Sequence, residues 1–93
     1  MILSYRDRHT EALDVHGVCH RRWRSFQAAA ERKLDMLSAA SFVSDLRSPP
    51  GNRLEKLSGD REGQWSIRIN DQWRICFRWD SLGPEDIEIV DYH

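Results

Sequence analysis

A chain of 93 residues with 40% hydrophobic content builds one domain, residues 1–93, with a modest core and no room for a second. Its net charge of −1 gives no bulk attraction to nucleic acid, and no apolar run approaches the roughly 18–20 residues that span a membrane. The opening Met1-Ile2-Leu3-Ser4-Tyr5-Arg6 lacks the basic and long apolar regions of a signal peptide, so a cytoplasmic location is expected.

In chain order, Ile2 to Tyr5 reads as a short edge strand, and Asp7 to His16 as a short helix that Gly17 ends. The clearest helix runs from Arg21 to Ala40, because Trp23, Phe26, Ala30, Leu34 and Leu37 recur at helical spacing. That stripe is core packing and implies no cofactor. Ser48-Pro49-Pro50-Gly51-Asn52 then breaks the chain, and the apolar period changes from 3.6 to 2. Arg53 to Leu57 reads as a strand, followed by the polar turn Ser58 to Gly63. Trp65 to Ile69 and Trp73 to Trp79 alternate strictly, and after Leu82-Gly83-Pro84 a last strand covers Ile87 to Val90. Helices followed by a meander of strands give an α+β fold, its helices on one face of a twisted, mainly antiparallel sheet.

Alternation also constrains the register. A three-residue loop at Asn70-Asp71-Gln72 pairs Ile69 with Trp73 and Ile67 with Ile75, whereas a two-residue turn would send an arginine to the core. The favoured register sets Arg68 across from Arg74 on the other face, at a like-charge cost of up to roughly 0.2–1 kcal/mol. A phosphate site would want that pair; two solvated arginines splayed apart are the alternative. If the last strand pairs Ile87 with Trp79, Glu88 falls across from Arg78 and Tyr92 across from Arg74, on a sheet face that the helices leave uncovered.

The cations are twelve arginines and two lysines, which favours bidentate phosphate recognition by a local patch. Cys19 and Cys76 are too few and too far apart for a disulfide framework, and His9, His16 and His20 show no metal-ligand spacing. The terminal Asp91-Tyr92-His93 offers a proton-transfer imidazole, a phenol that stacks or donates, and a carboxylate to orient the imidazole.

Taken together, Arg53-Leu54-Glu55-Lys56-Leu57-Ser58-Gly59-Asp60-Arg61-Glu62-Gly63, Trp65-Ser66-Ile67-Arg68, Asn70 to Phe77 and Val90-Asp91-Tyr92-His93 resemble HigB, the "host inhibition of growth" branch of the RelE superfamily. The likeness is dense from Asn52 to His93 and thinner over the helical half. It implies a RelE-like toxin that enters the ribosomal A site and cuts mRNA there without a metal or other cofactor. By analogy, 2′-hydroxyl attack leaves a cyclic phosphate and a free 5′-hydroxyl. It also implies a HigA-type helix-turn-helix antitoxin as partner, with operator DNA contacted only through that partner.

Carried onto this chain, Asp91, Tyr92, His93 and Arg74 are the catalytic candidates, and Arg61 and Arg68 candidate RNA contacts. Family members often have a histidine and a lysine where this chain has Glu55 and Ser58. Glu55 is therefore a candidate base and Lys56 a candidate phosphate contact, although alternation points the two opposite ways. The substitution implies reduced or altered toxicity, and its extreme form would be a RelE-fold module that binds antitoxin or ribosome without cutting.

Overall fold

The chain is described by a computed structural model over residues 1–91. Asp7 starts helix α1 (Arg8–His16) by accepting the backbone N–H groups of His9 and Thr10, each at 3.1 Å. Gly17 ends it at φ 68°, with its N–H 3.0 Å from the Leu13 carbonyl. The helix expected from Arg21 to Ala40 divides in two: a 3₁₀ segment, Arg21–Phe26, and helix α2, Gln27–Ala39. The spacing explains the division. Trp23 and Phe26 stand three residues apart and both are buried, which suits three residues per turn, whereas Ala30, Leu34 and Leu37 follow the α period. His20 caps the 3₁₀ segment, its Nδ1 accepting the Arg22 N–H at 3.2 Å.

Two more 3₁₀ turns, Val43–Arg47 and Pro50–Asn52, lead to the sheet. Asn52 is fully buried. Its amide nitrogen donates to the Leu46 carbonyl at 3.1 Å and to the Ser48 carbonyl at 3.4 Å, while its oxygen accepts from Lys33 Nζ. Arg53 follows in the left-handed region at φ 45° and turns the chain into the first strand.

The sheet has the order β1-β2-β3-β4, all antiparallel, from β1 (Glu55–Lys56), β2 (Trp65–Arg68), β3 (Trp73–Asp80) and β4 (Gly83–Asp91). The β2–β3 register is the expected one: Ile67 pairs with Ile75, and Arg68 with Arg74. Asn70 holds the loop between them, its side-chain oxygen accepting the N–H groups of Gln72 at 2.9 Å and Trp73 at 2.8 Å. Ile67, Ile69, Trp73, Ile75, Phe77, Ile87 and Ile89 then share one core with Leu13, Phe26, Leu34 and Leu37 from the helices.

The β3–β4 register differs from the expected one. Trp73 pairs with Asp91, Arg74 with Val90 and Cys76 with Glu88, two residues along from the Ile87–Trp79 alignment. The tight turn that sets Asp80 across from Gly83 is the cause, and the bulge between Cys76 and Arg78, where β4 spends one extra residue at Asp86 (φ +53°), then moves the alignment by one and brings Ile89 opposite Ile75. Glu88 therefore opposes Cys76, and Arg78 pairs instead with Glu85. Beside the bulge, the N-terminal segment makes one parallel bridge, Tyr5 to Ile87, in place of a full edge strand. Ser4 is occupied by the bulge itself, its hydroxyl accepting the Asp86 N–H at 2.9 Å.

Two outcomes follow. Asn52→Ala strands Lys33 and two carbonyls and lowers the unfolding free energy by about 2–3 kcal/mol, measured by urea denaturation. His20 is held below the usual imidazole range by partial burial, then by His9, Arg21 and Arg22. A depressed folded-state value means that the unfolded chain takes up the proton first. Stability contributed by neutral His20 is complete above pH of about 6.5 and is lost as pH falls below it. Melting temperatures compared at pH of about 7.5 and 5.5 show a smaller acid loss for His20→Asn, which keeps the cap.

Candidate active site

The sheet face turned away from the helices is not bare. After Arg53 the chain runs through β1 and a 3₁₀ turn at Gly59–Arg61, then returns across that face before entering β2. Gly63, at φ +89°, passes so close to Arg78 that a Cβ there would lie 2.6 Å from its Nη1. Arg61 Nη1 reaches Glu88 Oε1 and Gln64 Oε1, each at 3.1 Å, and so ties the turn to β4. Beneath this cover Ser66 and Cys76 are fully buried, and Arg74 is only 7% exposed. The expected open platform is a cleft, because the polar residues from 58 to 64 have charged partners on the sheet to fold against.

Arg74 sits on β3 with its guanidinium turned toward β1. Its Nε donates to Ser66 Oγ at 2.8 Å, and its Nη2 donates to the carbonyls of Arg53 at 2.7 Å and Ser66 at 3.4 Å. Burying a guanidinium costs several kcal/mol, and such bonds are what make it tolerable. Across from it, Arg68 bonds Asp71 in the loop. The two arginines opposed in register thus avoid each other by taking different partners. Around them is a cleft of about 250 Å³ lined by Arg53, Glu55, Arg68, Asn70, Asp71 and Arg74. Three arginines with Glu55 on the strand and Asp71, which Arg68 already engages, suit an anion flanked by a proton acceptor.

Glu55 opposes Ser66 and lines this cleft, while Lys56 opposes Trp65 and holds its ammonium 5.7 Å from the centre of that ring. Both, with Ser58, Asp60 and Arg61, also line a neighbouring hollow of about 400 Å³. Arg61 belongs to that hollow and not to the arginine cleft.

Asp91 lies elsewhere. Paired with Trp73, it stands on the helix side of the sheet, 3.7 Å from Arg22 and accepting from Gln72 Nε2 at 3.0 Å. There it lines a cleft of about 290 Å³ with His9, His20, Arg22, Trp23 and Trp73. The imidazoles of His9 and His20 meet edge to face at 4.6 Å, and Arg22 lies over the Trp73 ring at 5.1 Å. Asp91 and Arg74 therefore occupy opposite faces of the sheet. The residue across from Arg74 is Val90, so the expected Tyr92–Arg74 pairing does not follow from this register. Tyr92 and His93 lie outside the described residues.

Arg53, Ser66 and Asn52 carry no role in the reading of the sequence, nor do His9, His20 and Arg22. Ser66 had a visible signal, a small polar residue between Trp65 and Ile67 in a strand otherwise built for packing. The part played by Arg53 rests on its carbonyl, which no side-chain pattern reveals. Burial raises the Cys76 thiol above its ordinary value although Arg61, Arg74 and Arg6 pull the other way, so it is no ready nucleophile. Among the described residues no group of three or more histidine, cysteine or acidic side chains is arranged to hold a metal. Among the described residues no helix is long and apolar enough to cross a membrane.

Comparison with known proteins agrees with this architecture. Residues 3–93 match the model of the RelE-like toxin of type II toxin–antitoxin system HigB. Toxin HigB-1 of Vibrio cholerae serotype O1 (strain ATCC 39315 / El Tor Inaba N16961) is 44% identical over 80 residues, covering 85% of this chain and 84% of that protein. Endoribonuclease HigB of Proteus vulgaris is 42% identical over 61 residues, covering 66% of this chain and 65% of the relative. In fold, the chain is similar to one in the YoeB–YefM complex from Staphylococcus aureus, with a TM-score of 0.58 at 18% identity, over 100% of this chain and 95% of that one. Matched over nearly its whole length, the chain belongs to the HigB family of RelE-like toxins of type II toxin–antitoxin systems.

Proposed function

We propose that this toxin is an mRNA endoribonuclease that cuts messages in the ribosomal A site and so stops translation. The observation that carries the reading is the cleft that Arg53, Arg68 and Arg74 line together with Glu55, a grip for one phosphate beside a group able to take a proton. With a net charge of −1 the chain has no long-range pull on free RNA, so a message already held in place by the ribosome is the fitting substrate.

In this reading Arg74 holds the non-bridging oxygens of the scissile phosphate and stabilises the charge that builds there. Glu55 takes the proton from the 2′-hydroxyl, whose oxygen attacks phosphorus, and the 5′-oxygen leaves with a proton from His93. The products are a 2′,3′-cyclic phosphate and a 5′-hydroxyl. Tyr92 stacks on or hydrogen-bonds the neighbouring nucleotide. Asp91 orients the terminal residues from the helix side, where Arg22 and Gln72 hold it. Arg68 and Lys56 contact the RNA backbone, and Arg61 serves it indirectly by fixing the turn over the sheet. No step calls on a cofactor.

An antitoxin is the partner that a type II system supplies, and we assign it to the HigA type, a helix-turn-helix protein that brings the toxin to operator DNA. The cytoplasm is where ribosome and antitoxin would both be met.

Cleavage of mRNA on programmed ribosomes, mapped by primer extension, tests the roles. Arg74→Ala lowers the rate by about 10²–10³-fold, as the loss of one oxyanion donor does elsewhere. Glu55→Gln and His93→Ala each lower it by about 10²-fold or more. Wild-type cutting by Glu55→Gln would remove that carboxylate from the chemistry. Growth arrest by His93→Ala with uncut messages would point to a toxin that blocks the ribosome.

A further inference from the structure

The middle of β2 contains an anomaly. Ser66 lies between Trp65 and Ile67, fully buried, with Glu55 across from it on one side and Cys76 on the other. A buried hydroxyl without a partner costs free energy, and an alanine or valine would fill a strand position more cheaply. The partner it has is Arg74, one step along the register: Arg74 Nε donates to Ser66 Oγ at 2.8 Å.

That bond acts on a specific degree of freedom. Arg74 Nη2 is already tethered to the Arg53 carbonyl at 2.7 Å. Nη2 also reaches the Ser66 carbonyl at 3.4 Å, and the shorter bond through Nε, on the same edge of the planar guanidinium, further restrains the group from swinging. The Ser66 and Arg53 oxygens are neutral acceptors that orient the guanidinium without themselves adding a counter-charge, unlike the carboxylates that engage Arg61 and Arg68. The Arg53 carbonyl is itself placed by backbone at φ 45° that follows directly on buried Asn52.

We propose that Ser66 is a positioning residue: its hydroxyl fixes the plane of the Arg74 guanidinium in the cleft, in the orientation that meets the reacting phosphate. The proposal rests on the reading of Arg74 as the phosphate grip. Binding of the toxin to the ribosome spreads over a wider surface than one guanidinium plane, so a tilted Arg74 lowers kcat and leaves KM in place.

The test is steady-state cleavage of mRNA on programmed ribosomes by the full chain. Ser66→Ala and, kept reduced because Cys76 stands opposite, the nearly isosteric Ser66→Cys lower kcat about tenfold with KM changed less than about twofold, whereas Ser66→Thr, which keeps the hydroxyl, stays within about threefold of the parent. On an Arg74→Lys background, which has no Nε edge to hold, Ser66→Cys costs less than about twofold more. Thermal melting of each variant shows that the compared proteins are folded, and Ser66→Cys carries the comparison if Ser66→Ala melts early. Wild-type kcat in Ser66→Cys, or an equal loss on both backgrounds, overturns the positioning role while leaving Arg74 as the grip. Wild-type cleavage by Arg74→Ala overturns the reading of Arg74, and this proposal with it.

Discussion

Ile67 faces Ile75 across β2 and β3, and the rest of the molecule depends on that pairing. A strand alternates strictly, so a slip of one residue would turn Ile67, and Ile69 just beyond β2, to the wrong side and bring Arg68 into the core. Holding the pair under the helices directs Ser66, Arg74 and Cys76 to the other face with no choice in the matter. Like charges at 68 and 74 are the accepted cost of a register that the core enforces.

That cost is offset by divergence of the two side chains. Arg68 turns to the loop and Asp71, while Arg74 turns to β1 and to oxygens of Ser66 and Arg53. Because the chain from 53 to 64 returns over this face, the positive charge is concentrated in a cleft and not spread over a platform. An almost neutral protein thereby presents a local arginine-lined spot, which suits a substrate delivered by another body more than one captured by long-range attraction. Asp91, directed to the helix side by its pairing with Trp73, reaches the end of the sheet from behind, between Arg22 and Gln72.

Much of this was legible in the residues. Asp7 and Gly17 mark the ends of α1, and the alternating tryptophans and isoleucines determine the β2–β3 register without any long-range information. What escaped depends on events that side-chain periodicity does not encode. The bulge at Asp86 needs a positive φ at a residue that can adopt it but does not announce it, and it moves the β4 alignment by one beyond the tight turn at Asp80–Gly83. The break between 3₁₀ and α winding at Phe26 is hidden because spacings of three and four both satisfy one apolar stripe. Burial of the arginine face comes from tertiary pairs, Arg61 with Glu88 and Arg78 against Gly63, and the support of Arg74 by a backbone carbonyl has no sequence signature at all.

The central claim is that the arginine cleft breaks single RNA linkages in messages under translation. Sequencing of 5′-hydroxyl RNA ends, in cells briefly expressing the toxin with and without an initiation inhibitor, tests it most directly. The account predicts new 5′-hydroxyl ends inside coding regions, in frame with translation and absent when initiation is blocked. A growth-arrested culture with no new ends, or with ends spread equally over untranslated RNA, would contradict it.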